Sequence, residues 1–437
     1  MAGSPDEKTF MRETIIKPKP TSRQIAGKVI CLFLVALLFG VVSAVGFVVS
    51  KPVAEKYLGQ EEEPPSVPIT IERDDEPATT ETALETMEST APEPPPEPNL
   101  DEIRSIVQEE LAQISWTPEK IKEFNQVLRN IGAEAEHSIV TVSSVRHQKD
   151  WFDNPVENTG QYAGMILALN EHEVVILTGI SAIEKADSLR VSFGDGSTAS
   201  AQVKQTDSVT DMATLSINMA ELTETTKNWI RAIELGNSYS VRTGDMIIAV
   251  GSPANHVYSV KHGFITYVAK GVQTTDGQTR ILYTDLTCSQ TKGTFFLNLS
   301  GQMIGWATSL YNSEDMADST KIMSISEYKG SLQKLSNGIP IPYMGIYAQD
   351  VNAAMQNEGI PKGIYITESI SDGPAYLAGI QSGDILTSIQ GEPISAIRDF
   401  QSRLEMMQEG MEISVVVERK GIDEYKEIEY RVTIGAR

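Results

Sequence analysis

Between Val29 and Ser50 the chain runs for 22 residues without a charged side chain. As a helix rising 1.5 Å per residue, this run spans the roughly 30 Å hydrocarbon layer of a bilayer. Lys8, Arg12, Lys17, Lys19, Arg23 and Lys28 precede it, whereas Lys51 and Lys56 are soon followed by Glu61, Glu62 and Glu63. The positive-inside rule therefore predicts a cytoplasmic tail over residues 1–28, one transmembrane helix over 29–50, and extracytoplasmic chain after Lys51. A cleaved signal peptide has an apolar stretch of only about 7–15 residues. A Ser43-Ala44-Val45-Gly46 cleavage site is conceivable, but the length of the run favours a retained anchor.

The next stretch, residues 51–100, predicts an acidic, disordered linker. From Glu61 to Glu102 fourteen acidic residues face the single Arg73, more than half of the net charge of −23. Pro64-Pro65 and Pro92-Glu93-Pro94-Pro95-Pro96 interrupt it. Such a segment buries too little apolar surface to offset its ordering entropy and extends by self-repulsion. The rest of the chain is only mildly acidic and has no basic face for nucleic acid. With 41% hydrophobic and 22% charged residues in 437, the remainder suffices for two globular units. Cys31 lies in the apolar run and so cannot pair with Cys288 inside one folded domain.

Residues 101–134 read as a helical segment, with amphipathic helices over Leu100–Ala112 and Pro118–Ile131. In the second, Ile121, Phe124, Val127, Leu128 and Ile131 recur at helical spacing, and Thr117 before Pro118 supplies an N-cap with proline at N1. From Ile139 the period becomes two. Strands are expected at Ser138–Val145, Ala163–Ala168, Glu173–Thr178, Ser188–Phe193, Ala199–Gln205, Met246–Val250 and Gly263–Val268, separated by turns such as Gly194-Asp195-Gly196-Ser197. This spacing points to an all-β barrel or sandwich over residues 135–336. A second module over 339–437 has expected strands at Gly363–Glu368 and Met411–Glu418, and helices at Asp372–Ala378 and Ile397–Met407. The chain is thus expected to be mainly β, with an α+β C-terminal domain.

That C-terminal module resembles a PDZ domain of the bacterial protease type. Tyr343-Met344-Gly345-Ile346, Gly363-Ile364-Tyr365-Ile366, Gly373-Pro374-Ala375, Ala378-Gly379-Ile380 and Gly383-Asp384-Ile385-Leu386 carry the resemblance, with Ile389, Gly391 and Ile394 following. It implies that Tyr343, Met344, Gly345 and Ile346 form a loop whose backbone N–H groups take a peptide's terminal carboxylate. The peptide then adds as a strand. A helix bearing Phe400 and Leu404 would flank that groove, although each residue taken alone reads better as core.

Residues 138–335 resemble the trypsin-like double β-barrel of HtrA/DegP-type serine proteases. Leu235-Gly236-Asn237-Ser238, Val241-Arg242-Thr243-Gly244-Asp245, Ala249-Val250-Gly251-Ser252-Pro253, His262-Gly263-Phe264-Ile265 and Leu297–Gly305 match in order and spacing. The resemblance places Asp211, in Thr210-Asp211-Met212-Ala213, at the triad carboxylate. It places Ser181 where the family has its base histidine, Lys292 at the nucleophilic serine, and Gln290 at the oxyanion-loop glycine. A register shift of one residue is open in this last segment, yet no shift yields Gly-x-Ser-Gly.

Serine proteolysis needs a base at a hydroxyl, a carboxylate orienting that base, and N–H donors for the oxyanion. Losing one triad member costs roughly 10⁴–10⁶ in rate in serine proteases, so the site is expected to be non-functional. Ser181 and Lys292 could face each other as an inverted dyad, but an ion pair of Lys292 with Asp211 is the favoured expectation. Cys288 reads as a buried small hydrophobe, and His256 and His262 as loop and strand-end residues. Neither metal-ligand spacing nor a phosphate loop appears, so no cofactor or metal is expected. The resulting expectation is a non-catalytic protein that binds polypeptide C-termini or unfolded proteins. The resemblance adds a homo-oligomer, possibly a trimer. The alternatives are an active endopeptidase with an unorthodox site and a regulator of an active protease paralogue.

Overall fold

Alternating apolar and polar residues make sheets with one buried face, and short strands joined by tight turns roll such sheets into closed barrels. The computed structural model describes residues 68–75, 117–149, 155–311 and 319–437. Helix α1 (Pro118–Glu136) opens the folded region, with Thr117 Oγ1 accepting from the Lys120 N–H as N-cap and proline in the first turn. The first barrel closes as β1-β2-β3-β6-β5-β4 from β1 (Ile139–Lys149), β2 (Pro155–Leu169), β3 (Glu173–Gly179), β4 (Ser188–Ser192), β5 (Thr198–Asp207) and β6 (Met212–Asn218).

After the short α2 (Glu224–Trp229) comes the second barrel, closed as β10-β11-β12-β9-β8-β7. Its strands are β7 (Met246–Gly251), β8 (Lys261–Thr274), β9 (Gly277–Thr284), β10 (Thr294–Leu297), β11 (Met303–Thr308) and β12 (Lys321–Ser324). Each barrel has its own core, Val140, Ile176 and Leu215 in the first and Ile247, Leu282 and Phe296 in the second. A third cluster joins them. Met165 and Leu177 of the first barrel pack with Val250, Phe295 and Trp306 of the second, beside Leu128 of α1 and Leu332 and Leu335 of α3 (Lys329–Ser336).

The C-terminal domain contains β14 (Ile346–Asp350), β15 (Ile364–Ser369), β16 (Ile385–Ile389), β18 (Glu412–Lys420) and β19 (Tyr425–Thr433) as neighbours in that order. The short β17 (Glu392–Pro393) pairs with β16, and β13 (Pro342–Tyr343) pairs with β20 (Gly435–Ala436). Helices α4 (Ala353–Asn357), α5 (Pro374–Ala378) and α6 (Ile397–Glu405) complete it. Asp350 Oδ1 accepts from the Ile397 N–H and Asp399 from those of Ser395 and Ala396, which satisfies the start of α6. Strand β14 lies at the end of its sheet order, with one edge unpaired by any strand of that sheet.

Two features depart from the sequence expectation. Residues 68–75, inside the stretch read as a disordered linker, lie extended along α3. Asn337 bonds both the N–H and the carbonyl of Ile69, Gln333 accepts from the Ile71 N–H, and Ile71 packs on the inter-barrel core. Asp74 then meets Ser326 and Lys329. An Ile-x-Ile alternation with one well-placed acid suffices to dock eight residues of an otherwise acidic tether. In α1 the apolar stripe is split: Leu128 and Ala135 are buried, while Ile121, Phe124 and Val127 are about half exposed. Residues 1–28, expected to form a cytoplasmic tail, the apolar run 29–50 and the helix expected at Leu100–Ala112 lie outside the described residues. Among the described residues no helix is long and apolar enough to cross a membrane.

Candidate functional site

The first candidate site lies where the two barrels meet. Ser181 occupies a 3₁₀ turn, Ile180–Ala182, directly after β3. Asp211 precedes β6 with φ 57°, and its carbonyl accepts from the Ile180 N–H, so the two segments are held side by side. From the second barrel the loop before β10 reaches across. The Lys292 carbonyl accepts from the Ala163 N–H at 2.7 Å, and the Gly293 carbonyl from the Ser252 N–H at 2.8 Å. Gly293 has φ +80°, and a Cβ there would lie 2.3 Å from the Ala163 carbonyl oxygen, so this close approach needs glycine.

The side chains brought together here do not form a proton-transfer chain. Ser181 Oγ donates to the Thr291 carbonyl at 2.8 Å. Lys292 Nζ sits 4.9 Å from the centroid of the Tyr162 ring, a cation–π contact. Among the described residues neither Lys292 nor Asp211 is in an ion pair, and no hydrogen bond joins Ser181 Oγ to Lys292 Nζ; the expected Asp211–Lys292 pair is replaced by the contact with Tyr162. Burial raises the Asp211 carboxyl above its usual range, and the nearby Glu184 carboxylate raises it further. Gln290 is half-buried in the same loop, which Thr294 closes by donating to the Ser289 carbonyl. Burial also pushes the Cys288 thiol up, away from the thiolate a nucleophile needs. His256 and His262 are exposed, in a loop and on β8. Among the described residues no cluster of His, Cys, Asp and Glu could hold a metal ion.

The second site is the loop joining β13 to β14. Gly345 has φ +81°, which turns the N–H groups of Met344, Gly345 and Ile346 toward one point. Such a concave run of N–H groups is an anion seat. Met344 and Ile346 bury their side chains in the domain core, as does Phe400 of α6; Leu404 is 5% exposed and belongs to the same cluster. Phe400 is thus a core residue, and what the loop turns outward is its backbone N–H groups.

Sequence reasoning missed the group that occupies this seat. Asp276, in the two-residue turn between β8 and β9, accepts from the Met344 N–H through Oδ2 at 2.8 Å. Its Oδ1 accepts from Gly345 at 2.8 Å and from Ile346 at 3.0 Å. The Asp276 N–H in turn donates to the Ile346 carbonyl at 2.8 Å. Asp276 is 5% exposed. Burial pushes its carboxyl up, while the three N–H donors and the Arg437 guanidinium pull against that shift without cancelling it. An Asp-Gly pair between two strands signals a hairpin; nothing local signals where its tip lands.

Comparison with known proteins agrees with this geometry. Residues 163–305 match the trypsin-like peptidase domain and residues 342–429 the PDZ domain. The serine protease Do-like HtrA of Bacillus subtilis is 28% identical over 305 residues, covering 65% of this chain and 65% of that protein. A DegP-like periplasmic serine endoprotease of Pseudomonas savastanoi is 27% identical over 272 residues, 60% of this chain and 53% of that protein. The chain therefore spans less than two thirds of the length of these relatives. In fold it is similar to the HtrA-type protease AlgW solved with a decapeptide, at TM-score 0.51 and 20% identity, covering 71% of this chain and 98% of that one. With a double barrel followed by this PDZ domain, the chain belongs to the HtrA-type family of trypsin-like proteins.

Proposed function

We propose that this chain is a membrane-anchored, extracytoplasmic pseudoprotease that binds polypeptide C-termini or unfolded chains through its PDZ domain. It would serve envelope protein quality control or scaffolding, as a homo-oligomer. The observation that carries the non-catalytic reading is the fate of the two replaced triad positions. The Ser181 hydroxyl, at the position of the base, is committed to the Thr291 carbonyl. The Lys292 ammonium, at the position of the nucleophile, rests on Tyr162. An acyl transfer needs a hydroxyl or thiolate beside a base, and Asp211 alone, burdened by burial and by Glu184, has no imidazole to orient. The oriented N–H groups of Met344, Gly345 and Ile346 support peptide capture, because a terminal carboxylate is the ligand such a seat suits. The uncharged run Val29–Ser50 supports the anchor, and the periplasmic relative supports the outward placement. The apolar residues left exposed on α1 are surface of the kind subunits cover.

The test is casein degradation by the purified chain together with labelling by a fluorophosphonate probe. The expected result is neither cleavage nor labelling, unchanged in Ser181→Ala and Lys292→Ala. Cleavage that disappears in either variant, or a labelled hydroxyl, would overturn the reading.

A further inference from the structure

The turn between β8 and β9 contributes more to the PDZ loop than the Asp276 carboxylate. Beyond the three N–H bonds to Asp276, its own N–H pairs with the Ile346 carbonyl, the first residue of the unpaired edge of β14. On the other wall of the groove, the Gln401 side chain of α6 donates to the Gln278 carbonyl at 3.1 Å. Gly277 lies so close to that side chain that an added Cβ would be 2.2 Å from Gln401 Nε2. The hairpin tip thus fills the slot between β14 and α6. A peptide adding to β14 with its C-terminus in the loop would need the same N–H groups, the same carbonyl and the same space. Arg437 braces the arrangement, since its guanidinium pairs with Asp207 of the first barrel at 3.2 Å and reaches the Thr275 carbonyl.

We infer that the β8–β9 turn is a built-in competitor for the PDZ groove: the Asp276 side-chain carboxylate sits where an incoming C-terminal carboxylate must bind. Peptide capture therefore requires the PDZ domain to release this turn of the second barrel. The inference rests on the reading of the Tyr343–Ile346 loop as a carboxylate seat. Its energetic form is a pre-equilibrium. Apparent affinity equals the intrinsic affinity multiplied by the fraction of molecules with the groove open.

Asp276→Asn is the informative variant. Asparagine tolerates the left-handed backbone at φ 59°, but it replaces one of the two acceptor oxygens with a donor. Two measurements on the full purified chain separate the possible failures. Amide hydrogen exchange at Met344, Gly345 and Ile346 reports the contact without any ligand. Fluorescence anisotropy with a random-sequence decapeptide pool bearing free carboxyl termini, and with the same pool amidated, reports the groove. The inference expects faster exchange at the three amides in Asp276→Asn and about tenfold tighter binding of the free-acid pool, with the amidated pool silent throughout. Unchanged exchange overturns the plug, as does equal binding of the free-acid pool to both proteins; the latter result leaves the PDZ reading standing. Faster exchange with no binding of either pool refutes the carboxylate seat itself, and the competition falls with it.

Discussion

Ser181 Oγ and the Thr291 carbonyl are 2.8 Å apart, a hydrogen bond that ties the turn after β3 of the first barrel to the loop before β10 of the second. It links residues 110 positions apart in the chain, yet it is partly open to water, and such bonds contribute about 1 kcal/mol or less. Ser181→Ala is therefore expected to lower stability by no more than about 1 kcal/mol in urea unfolding. A much larger loss would mean that the hydroxyl does more than bridge the barrels.

Asp211 makes the opposite prediction. Its folded-state carboxyl is raised, first by burial and then by Glu184, so the folded protein holds this proton more tightly than the unfolded chain does. The stability linked to this group is fully present below the unfolded value of about 3.9 and is lost as pH rises through the folded value. Asp211→Asn removes the ionisation and keeps a residue that accepts the left-handed backbone at φ 57°. The variant is expected to melt at a higher temperature than the parent at neutral pH, with the gain shrinking as pH is lowered toward 4. A variant less stable than the parent at pH 7 would show that the charged carboxylate is held by interactions that outweigh its burial.

The contrast between these residues shows what can be read from a linear chain. Strands written as unbroken apolar runs bounded by turns, such as Glu173–Gly179 and Met246–Gly251, announce themselves. Met212–Asn218 is quieter: Leu215 and Ile217 alternate with Thr214, Ser216 and Asn218, but the run is short and partly polar, and only the closed barrel buries its Thr214. Motif order singles out Ser181, Asp211 and Lys292, each of which lies within two residues of a strand end. Motif order is silent on where a long side chain goes. Tyr162, 130 residues before Lys292, decides that. Helical spacing found the stripe on α1 but could not rank its members, for the inter-barrel core accepts only Leu128, Ile131 and Ala135. Asp276 and residues 68–75 were hidden for the same reason: their partners lie far along the chain.

In the PDZ domain Arg419 clamps Asp384 with two bonds, Nε to Oδ1 at 2.6 Å and Nη2 to Oδ2 at 2.8 Å. Asp384 is 1% exposed and also accepts from the Gln381 N–H, while Arg419 donates to the Gly379 carbonyl and lies over Tyr430. Removing one partner leaves a buried charge uncompensated, which costs about 3–5 kcal/mol in fully buried pairs. Arg419 is partly exposed, so about 2–3 kcal/mol is expected for Arg419→Ala. Arg419→Lys, which keeps the charge and loses the fork, should fall between the two. Amide exchange on β16 and β18 would report the loss locally, with the barrels unaffected.

Residues 68–75 offer the sharpest test of whether the acidic tether is only a spacer. Lys329 is nearly buried at the start of α3, with its ammonium 2.9 Å from Asp74, and Asp74 also accepts from the Ser326 hydroxyl. That hydroxyl in turn meets Ser238, so a single aspartate of the tether completes a polar network inside the second barrel. Asp74→Ala would strand the Lys329 charge, with a cost of about 2–4 kcal/mol, whereas Asp75→Ala next to it should change little. Asp74→Ala combined with Lys329→Met should recover much of the loss, because an apolar side chain of similar volume can replace a buried charge. Thermal unfolding of the three variants decides the matter. If Asp74→Ala and Asp75→Ala melt alike, the segment merely lies on the barrel; if only the first is destabilised and the double variant is rescued, this part of the tether belongs to the fold.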